Sequence, residues 1–281
     1  MDTNLLIADI VERLKAVRGV DAIVLGGSRA RGTHTEKSDA DLGIYYRPSA
    51  PLDLVELERV AAEVDDEHRP NLVTAIGGWG PWINGGGWLQ VGGLPVDFLY
   101  RDLDQVERIL AECLAGRIEV AYQPGHPFAF VSAIYLAEAA LCRPLWDPHG
   151  SVASLKSRIQ PYPPRLKQAL LDKFWWEADF SLGIARKSIA RGDVTYAAGC
   201  CFRGVGCMLQ TLFAINEQHW MNEKGALALA AEFPLAPHNL RERAEWAFER
   251  LSGEGETIAE ALDVLRALLD ECAILVEQAR A

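Results

Sequence analysis

The stretch from Gly26 to Tyr46, GGSRARGTHTEKSDADLGIYY, is the segment from which the fold and the candidate site of the N-terminal part of the chain are predicted. It follows the apolar run DAIVL, and a loop of polar residues leads to Asp39 and Asp41, where a second apolar run begins. Alternation along a strand places both carboxylates on one face and sends Ala40 and Leu42 to the other. Like charges at this spacing repel each other, so the pattern predicts that something positive binds between them.

The composition of the chain is that of an ordinary globular protein. It has 281 residues, of which 49% are hydrophobic and 24% charged, and its net charge is −11. This charge argues against an extended nucleic-acid partner, which requires basic surface. The six cysteines form no C-x-x-C pair and are expected to be reduced core residues. With no signal peptide expected and no apolar run near the ~20 residues of a membrane span, we expect no membrane association and a cytoplasmic location.

Two patterns divide the chain. Helix-like and strand-like segments alternate over residues 1–122, including a strand at NLVTAI, a hairpin turning at Gly92–Gly93 and a helix with Asp102 as N-cap. The segment QPGHP is typical of a linker, and residues 123–281 are predicted to be helical, with a first helix over 129–143. The predicted fold is α+β: a small mixed-sheet domain followed by an all-α helical bundle, with the binding cleft between them.

The glycine-rich end of the quoted stretch favours phosphate. Gly26 and Gly27 allow close approach of a ligand to the backbone, and a helix starting near Ser28 would offer free N–H groups to an anion. Arg29 or Arg31 can supply fixed positive charge for phosphate oxygens. Because the other end presents paired carboxylates that favour Mg²⁺, the whole stretch suits metal-assisted phosphoryl or nucleotidyl transfer.

A third carboxylate is expected from Asp97, an acid inside the apolar run LPVDFLYRD. A buried lone charge is costly, so Asp97 should face a cation or a positive partner. Arg101 offers the alternative of a structural ion pair, and a further alternative is that the quoted stretch is a surface turn with solvated acids. The P-loop pattern G-x-x-x-x-G-K-[ST] is absent, and GGSRARG does not fit G-x-G-x-x-G.

These motifs resemble those of the DNA polymerase β-type nucleotidyltransferase superfamily over roughly the first 100–120 residues. The resemblance rests on a Gly-Gly-Ser turn, about ten intervening residues, a D-x-D on a strand and a later Asp, here Gly26, Gly27, Ser28, Asp39, Asp41 and Asp97. Arg31 matches a basic position often seen in the motif. The small domain followed by a helical bundle is similar to antibiotic nucleotidyltransferases, which adenylylate aminoglycosides or lincosamides. The resemblance implies two Mg²⁺ ions and ATP or another NTP.

Two further residues are predicted in the helical half. NEKGALALAAEFP at 222–234 resembles a segment in which a lysine meets the ATP triphosphate, which makes Lys224 a candidate, although it is equally a solvated lysine at a helix start. Streptomycin-type relatives carry Glu where this chain has Asp97, which leaves the general base open. Glu177, in KFWWEADFSL, is the candidate base from the bundle, and a solvated helix acid is the alternative.

The segment GGWGPWINGGGW at 77–88 carries Trp79, Trp82 and Trp88. A flexible aromatic loop before the catalytic hairpin could close over the site or stack on a base or sugar. The tryptophans could equally pack the two domains together, and the sequence does not decide between these roles.

The predicted function is Mg²⁺-dependent transfer of a nucleoside monophosphate, AMP from ATP, to a hydroxyl of a small molecule such as an aminoglycoside, with release of pyrophosphate. One alternative is an antitoxin-like transferase that modifies a partner protein. Others are a nucleotide-binding module without catalysis and an RNA nucleotidyltransferase, which the charge balance disfavours.

Overall fold

The computed structural model describes residues 3–280, which form two compact units. The first unit contains the chain up to residue 112, then residues 121–125 and 135–161. The second contains residues 113–120, residues 126–134 and the chain from residue 162 onward. The boundary predicted after residue 122 lies within this interleaved stretch.

The described residues contain seven strands and eleven α-helices. The strands are β1 (Ala22–Leu25), β2 (Ala40–Tyr46), β3 (Gly86–Val91), β4 (Leu94–Asp102), β5 (Val120–Ala121), β6 (Phe130–Val131) and β7 (Arg143–Trp146). The helices are α1 (Thr3–Leu14), α2 (Gly27–Arg31), α3 (Leu54–Val64), α4 (Leu103–Leu114), α5 (Ile134–Leu141), α6 (Ser151–Ile159), α7 (Pro164–Ala185), α8 (Val194–Ile215), α9 (Ala226–Ala231), α10 (Leu240–Arg250) and α11 (Gly255–Arg280), with a 3₁₀ turn at Arg186–Arg191. The predicted α+β class, a small mixed sheet with a helical C-terminal part, is confirmed.

A five-stranded mixed sheet organises the first unit, in the order β3-β4-β2-β1-β7. Strands β2 and β4 are parallel, and the other neighbouring pairs are antiparallel. One face of the sheet forms a core with apolar residues of α1 and α3. Ala40, Leu42 and Ile44 are fully buried on this face. The predicted alternation of β2 is therefore confirmed, and it turns Asp39 and Asp41 to the opposite face.

Two local predictions in the first unit are confirmed. The β3–β4 hairpin turns at Gly92 and Gly93, whose φ angles of +58° and +76° lie in the left-handed region that glycine adopts without strain. The backbone N–H groups of both glycines donate to the carboxylate of Asp66. Asp102 caps α4, because its Oδ1 accepts from the N–H groups of residues 104 and 105.

The strand predicted at NLVTAI is wrong, because this segment makes only an isolated bridge between Val73 and Gly87. The carboxylate of Glu58 in α3 accepts the N–H groups of Asn71, Leu72 and Val73. These donors are satisfied by one side chain, so the segment does not need a strand partner.

The helix predicted over 129–143 is also corrected: α5 begins at Ile134, and residues 143–146 form β7 instead of a helix end. Pro144 is disfavoured in a helix interior, since it lacks an N–H donor. It is tolerated in β7 because that strand lies at the edge of the sheet, where it pairs with β1 alone.

The second unit is built on three long helices, α7, α8 and α11, of 22, 22 and 26 residues. All six cysteines of the chain are buried and unpaired by disulfides, as predicted. Burial raises the pKa of the Cys201 and Cys207 thiols in α8 to about 12. These thiols are therefore protonated core groups at neutral pH.

Helix α8 departs from one expectation. It is long and apolar enough to cross a membrane, and it is the one helix among residues 3–280 of which this is true. The expectation that no apolar run approaches the length of a membrane span is therefore wrong. In the structure 78% of its apolar window is buried within the protein. The core helix of a soluble protein passes the same test, so this is weak evidence for a membrane span.

The edge strand β3 is held by an internal carboxylate. Asp65 is completely buried and accepts from Arg69 at 2.9 and 2.6 Å and from the N–H of Gln90 in β3 at 3.0 Å. Hydrogen bonding to Arg69 holds the pKa of Asp65 well below its usual range, although burial opposes this effect. The carboxylate therefore stabilises the fold in its charged form.

We predict that Asp65→Asn lowers the free energy of unfolding at pH 7 by about 2 kcal/mol, since it leaves buried donors imperfectly paired. The folded-state pKa is depressed, so this stability is fully present above the unfolded-state pKa of about 3.9 and is lost as pH falls below it. Urea unfolding at pH 7 and near pH 3 measures both effects. Asp9→Asn, which removes an exposed partner of Arg13, is the control and should change little. A deficit of equal size at both pH values would contradict the prediction.

Candidate functional site

Parallel pairing of β2 and β4 assembles three carboxylates. In this register Asp41 lies opposite Asp97, and Asp39 precedes Asp41 by two residues, on the same face. Each residue is half-buried and offers one carboxylate oxygen, and these three oxygens lie within 4.8 Å of one another. The structure thus brings together the three acids that the sequence pattern predicted.

The glycine turn after β1 lies directly against Asp41. The N–H of Gly26 donates to the carbonyl oxygen of Asp41 at 2.8 Å, which joins the end of β1 to the start of β2. Gly27 has a φ of +58°, and a Cβ there would lie 1.8 Å from Asp41 Oδ2. A Cβ at Gly26 would meet Asp41 Cβ at 3.5 Å and the carbonyl oxygen of Asp41 at 3.7 Å, both ordinary contact distances. Only at Gly27, therefore, does the position of the Asp41 carboxylate require the absence of a side chain.

Helix α2 begins at this turn, where the sequence predicted a helix or turn near Ser28. The first N–H groups of a helix have no acceptor within it, so the start of α2 presents donors beside the three carboxylates. Ser28 is half-buried in the first turn. Arg31, at the end of α2, is exposed, and its Nε donates to the carbonyl oxygen of Gly27 at 3.3 Å.

Arg29 has a role that the sequence did not reveal. Its Nε donates to the carbonyl oxygen of Asp39 at 2.9 Å, and its Nη2 donates to that of Ser38 at 2.6 Å. The guanidinium therefore holds the backbone that leads into β2 and positions Asp39. A basic residue early in the predicted helix was the available signal, but the sequence did not distinguish Arg29 from Arg31.

Arg101 is committed to a different carboxylate from Asp97. It is buried, and its Nε and Nη2 donate to Glu138 in α5 at 2.7 and 2.5 Å. Burial lowers the pKa of Arg101, but attraction to Glu138 outweighs it, and the pKa is raised overall. The alternative in which Arg101 serves as the ion-pair partner of Asp97 is therefore not supported.

Two predicted site residues lie in the second unit. Lys224 is exposed in the turn before α9, and its backbone N–H donates to Asn222 Oδ1 at 3.0 Å. Glu177 in α7 accepts from Arg203 at 2.7 Å, and Arg203 also donates to the carbonyl oxygen of Phe128. The nucleotide role of Lys224 and the base role of Glu177 stay predictions.

The tryptophan-rich segment contributes to the same face of the sheet as the acids. Trp88 in β3 lies opposite Asp97 in the antiparallel pairing, so the two side chains share a face. Trp88 stacks on Trp79, while Trp82 is buried. The pairing could have been found from the sequence, because counting outward from a two-residue turn at Gly92–Gly93 pairs residue 88 with residue 97.

The acidic cluster fits a divalent cation. Carboxylate oxygens are the ligands preferred by Mg²⁺ and similar hard cations, and ligand oxygens around Mg²⁺ lie roughly 3–4 Å apart. Oxygens within 4.8 Å of one another need only small side-chain rotations to reach this spacing. The donor set therefore suits a divalent metal ion.

Comparison with known proteins supports the same chemistry. The family model for a nucleotidyltransferase domain matches residues 7–76, a range that contains the glycine turn and both acids of β2 but not Asp97. No curated protein matches the chain significantly.

One solved structure that resembles the chain is a nucleotidyltransferase-like protein from Exiguobacterium sibiricum, with 12% sequence identity and a TM-score of 0.44. The match covers 99% of this chain and 78% of that one. The family match to residues 7–76 and the three clustered carboxylates support nucleotidyl transfer, in agreement with the prediction of a nucleotidyltransferase.

Proposed function

We propose that the protein is a Mg²⁺-dependent adenylyltransferase that transfers AMP from ATP to a hydroxyl group of a small cationic molecule of the aminoglycoside type. The observation that carries this proposal is the convergence of Asp39, Asp41 and Asp97 beside the turn at Gly27. Nucleotidyl transfer needs carboxylates for metal and donors for phosphate next to each other, and this arrangement supplies both.

Asp39, Asp41 and Asp97 would together hold the two Mg²⁺ ions of this proposal. When bound, the metal neutralises phosphate charge and lowers the pKa of a coordinated hydroxyl. The chain itself positions these carboxylates. Arg29 holds the backbone at the start of β2, and Asp41 Oδ2 can lie beside Gly27 because this residue has no Cβ.

The triphosphate binds, in this proposal, at the start of α2. The N–H groups of the first turn and the hydroxyl of Ser28 donate to the phosphate oxygens, and Arg31 adds positive charge. Lys224 stays the further candidate for a triphosphate contact that the sequence resemblance implies. Adenine specificity rests on the resemblance to adenylylating enzymes.

The reaction is an in-line displacement at the α-phosphorus. The acceptor oxygen forms a new bond to this phosphorus, the bond to the oxygen bridging to the β-phosphate breaks, and pyrophosphate leaves with the bonding electrons. The hydroxyl proton passes to a carboxylate. Asp97, which lies in the carboxylate cluster, is the proposed base, and Glu177, which accepts from Arg203, is the alternative.

A cationic acceptor is favoured by charge. The three acids of the site are assigned to metal ions in this proposal, but the chain as a whole carries a net charge of −11. Such a field raises the local concentration of cationic molecules near the site. Amino sugars with several ammonium groups match it better than neutral acceptors.

The proposal predicts pyrophosphate release that requires Mg²⁺, ATP and one acceptor from a panel of aminoglycosides, lincosamides and neutral sugars. Asp39→Asn should lower this rate by about 100- to 1000-fold, since a lost metal ligand costs several kcal/mol of transition-state stabilisation. Coupled pyrophosphate detection with each of the four NTPs measures both the rate and the base preference.

Glu36→Gln is the matched control, because it removes an exposed acid from the loop before β2. It should keep nearly the full rate, and neither variant should unfold at a lower temperature than wild type. Mg²⁺-independent release, or equal rates for the two variants, would contradict the proposal. If no small acceptor causes pyrophosphate release, an antibiotic-type acceptor is excluded, and partner proteins are then tested as acceptors.

The glycine turn provides a second prediction. Gly27→Ala should reduce activity by at least about 100-fold, because the new Cβ would occupy the place of Asp41 Oδ2 and the left-handed φ adds strain. Gly26→Ala has an ordinary contact distance and should lose less than about tenfold. Comparison of kcat and of Mg²⁺ dependence for the two variants checks this difference. Equal losses of activity in the two variants would contradict the special role of the Gly27 backbone in placing the Asp41 carboxylate.

A further inference from the structure

Trp88 extends the row of site residues across the sheet. Asp41 in β2 lies opposite Asp97 in β4, and Asp97 lies opposite Trp88 in β3. Residues directly opposite each other have Cβ atoms about 4.5–5.5 Å apart on the same face. The indole of Trp88 therefore adjoins the third carboxylate, yet 63% of this residue is exposed to solvent.

Trp79 completes an aromatic pair with Trp88. The two rings stack with centroids 4.6 Å apart and an interplanar angle of 24°. Trp79 packs against bare backbone, because a Cβ at Gly86 would lie 2.9 Å from its Cη2 atom. The place of Trp79 in this pair, hereafter the Trp79–Trp88 pair, thus requires that no side chain stands at Gly86, where a Cβ would also lie 1.8 Å from the carbonyl oxygen of Phe98.

The loop that carries Trp79 is held in place by side chains. The carbonyl oxygen of Trp79 accepts from Gln123 at 2.7 Å, and that of Trp82 accepts from the hydroxyl of Tyr135 at 2.6 Å. Gln105 donates to the carbonyl oxygen between them, at Pro81. A loop with these contacts is a formed surface rather than a flexible lid, despite its glycines. Ordered, exposed aromatic rings beside a catalytic site are typical of ligand contacts.

The in-line geometry of the reaction indicates which ligand binds this surface, an argument that rests on the proposed function. The proposed triphosphate site at α2 follows β1, on one side of Asp41, whereas Asp97 and Trp88 lie on the other side. An in-line displacement places the leaving pyrophosphate and the attacking oxygen on opposite sides of the α-phosphorus. The acceptor must then approach from the side of Asp97 and Trp88.

We propose that the Trp79–Trp88 pair is the acceptor subsite and that it binds an amino sugar. The apolar face of a sugar ring can lie on the exposed indole, and an ammonium group near the ring gains a cation–π interaction. The net charge of −11 on the chain attracts the same ammonium groups. An aromatic surface on a negatively charged protein therefore selects an acceptor that is both ring-shaped and cationic.

Trp88→Ala should raise the KM for the amino-sugar acceptor by about tenfold or more, as expected for a lost cation–π and stacking contact. The KM for ATP should stay within about twofold of wild type. Trp88→Phe should recover most of the loss, because it keeps an aromatic face. Trp246→Ala, which removes another exposed tryptophan from α10, is the matched control and should alter neither constant.

Binding is measured separately from turnover by tryptophan fluorescence. Wild type, Trp88→Phe and Trp246→Phe are titrated with kanamycin, streptomycin, a neutral disaccharide and MgATP. The inference expects an amino sugar to change the emission of wild type and Trp246→Phe, with a much smaller change in Trp88→Phe.

Each outcome has a distinct meaning. A response to MgATP that depends on Trp88 would assign the pair to the nucleobase and overturn the inference, as would the absence of any Trp88-dependent response to both amino sugars. A Trp88-dependent response to an amino sugar without pyrophosphate release would support the subsite and contradict the proposed transfer. Release with an unchanged acceptor KM in Trp88→Ala would support the transfer and contradict the subsite.

Discussion

The register between β2 and β4 is the constraint on which the site depends. A slip of one residue in either strand would turn its carboxylates into the core and its apolar residues out of it. The fully buried Ala40 and Leu42 in β2, and Val96 and Phe98 in β4, prevent that slip. The same alternation that builds the core of the first unit therefore fixes Asp41 opposite Asp97.

This arrangement has an electrostatic cost. Two carboxylates with oxygens no more than 4.8 Å apart repel by about 3 kcal/mol or more at an effective dielectric constant of 20, and the cluster contains three such pairs. A divalent cation converts this repulsion into attraction. The glycine at position 27 acts on the same balance, because its missing Cβ lets Asp41 Oδ2 stay where the other two oxygens lie nearby.

Features set by neighbouring residues could be predicted from the sequence. The alternation of β2, the Gly92–Gly93 turn and the Asp102 cap each depend on a few consecutive residues. Features set by contacts between residues far apart in the sequence could not be predicted. The NLVTAI segment lacks a strand because Glu58, in another element, takes its donors, and Arg101 finds its carboxylate in α5, 37 residues away.

The site shows the same limit on a smaller scale. The spacing of the acids identified the three carboxylates, since their type and alternation suffice. It could not assign the two arginines of α2, which are two residues apart and so point about 200° apart around the helix. Arg29 turns toward the carbonyl oxygens of Ser38 and Asp39, whereas Arg31 is exposed. Only the path of the loop back to β2 distinguishes them. The loop places the guanidinium of Arg29 at the start of β2, where backbone carbonyl oxygens hold it rather than a carboxylate. Arg29 in turn positions Asp39.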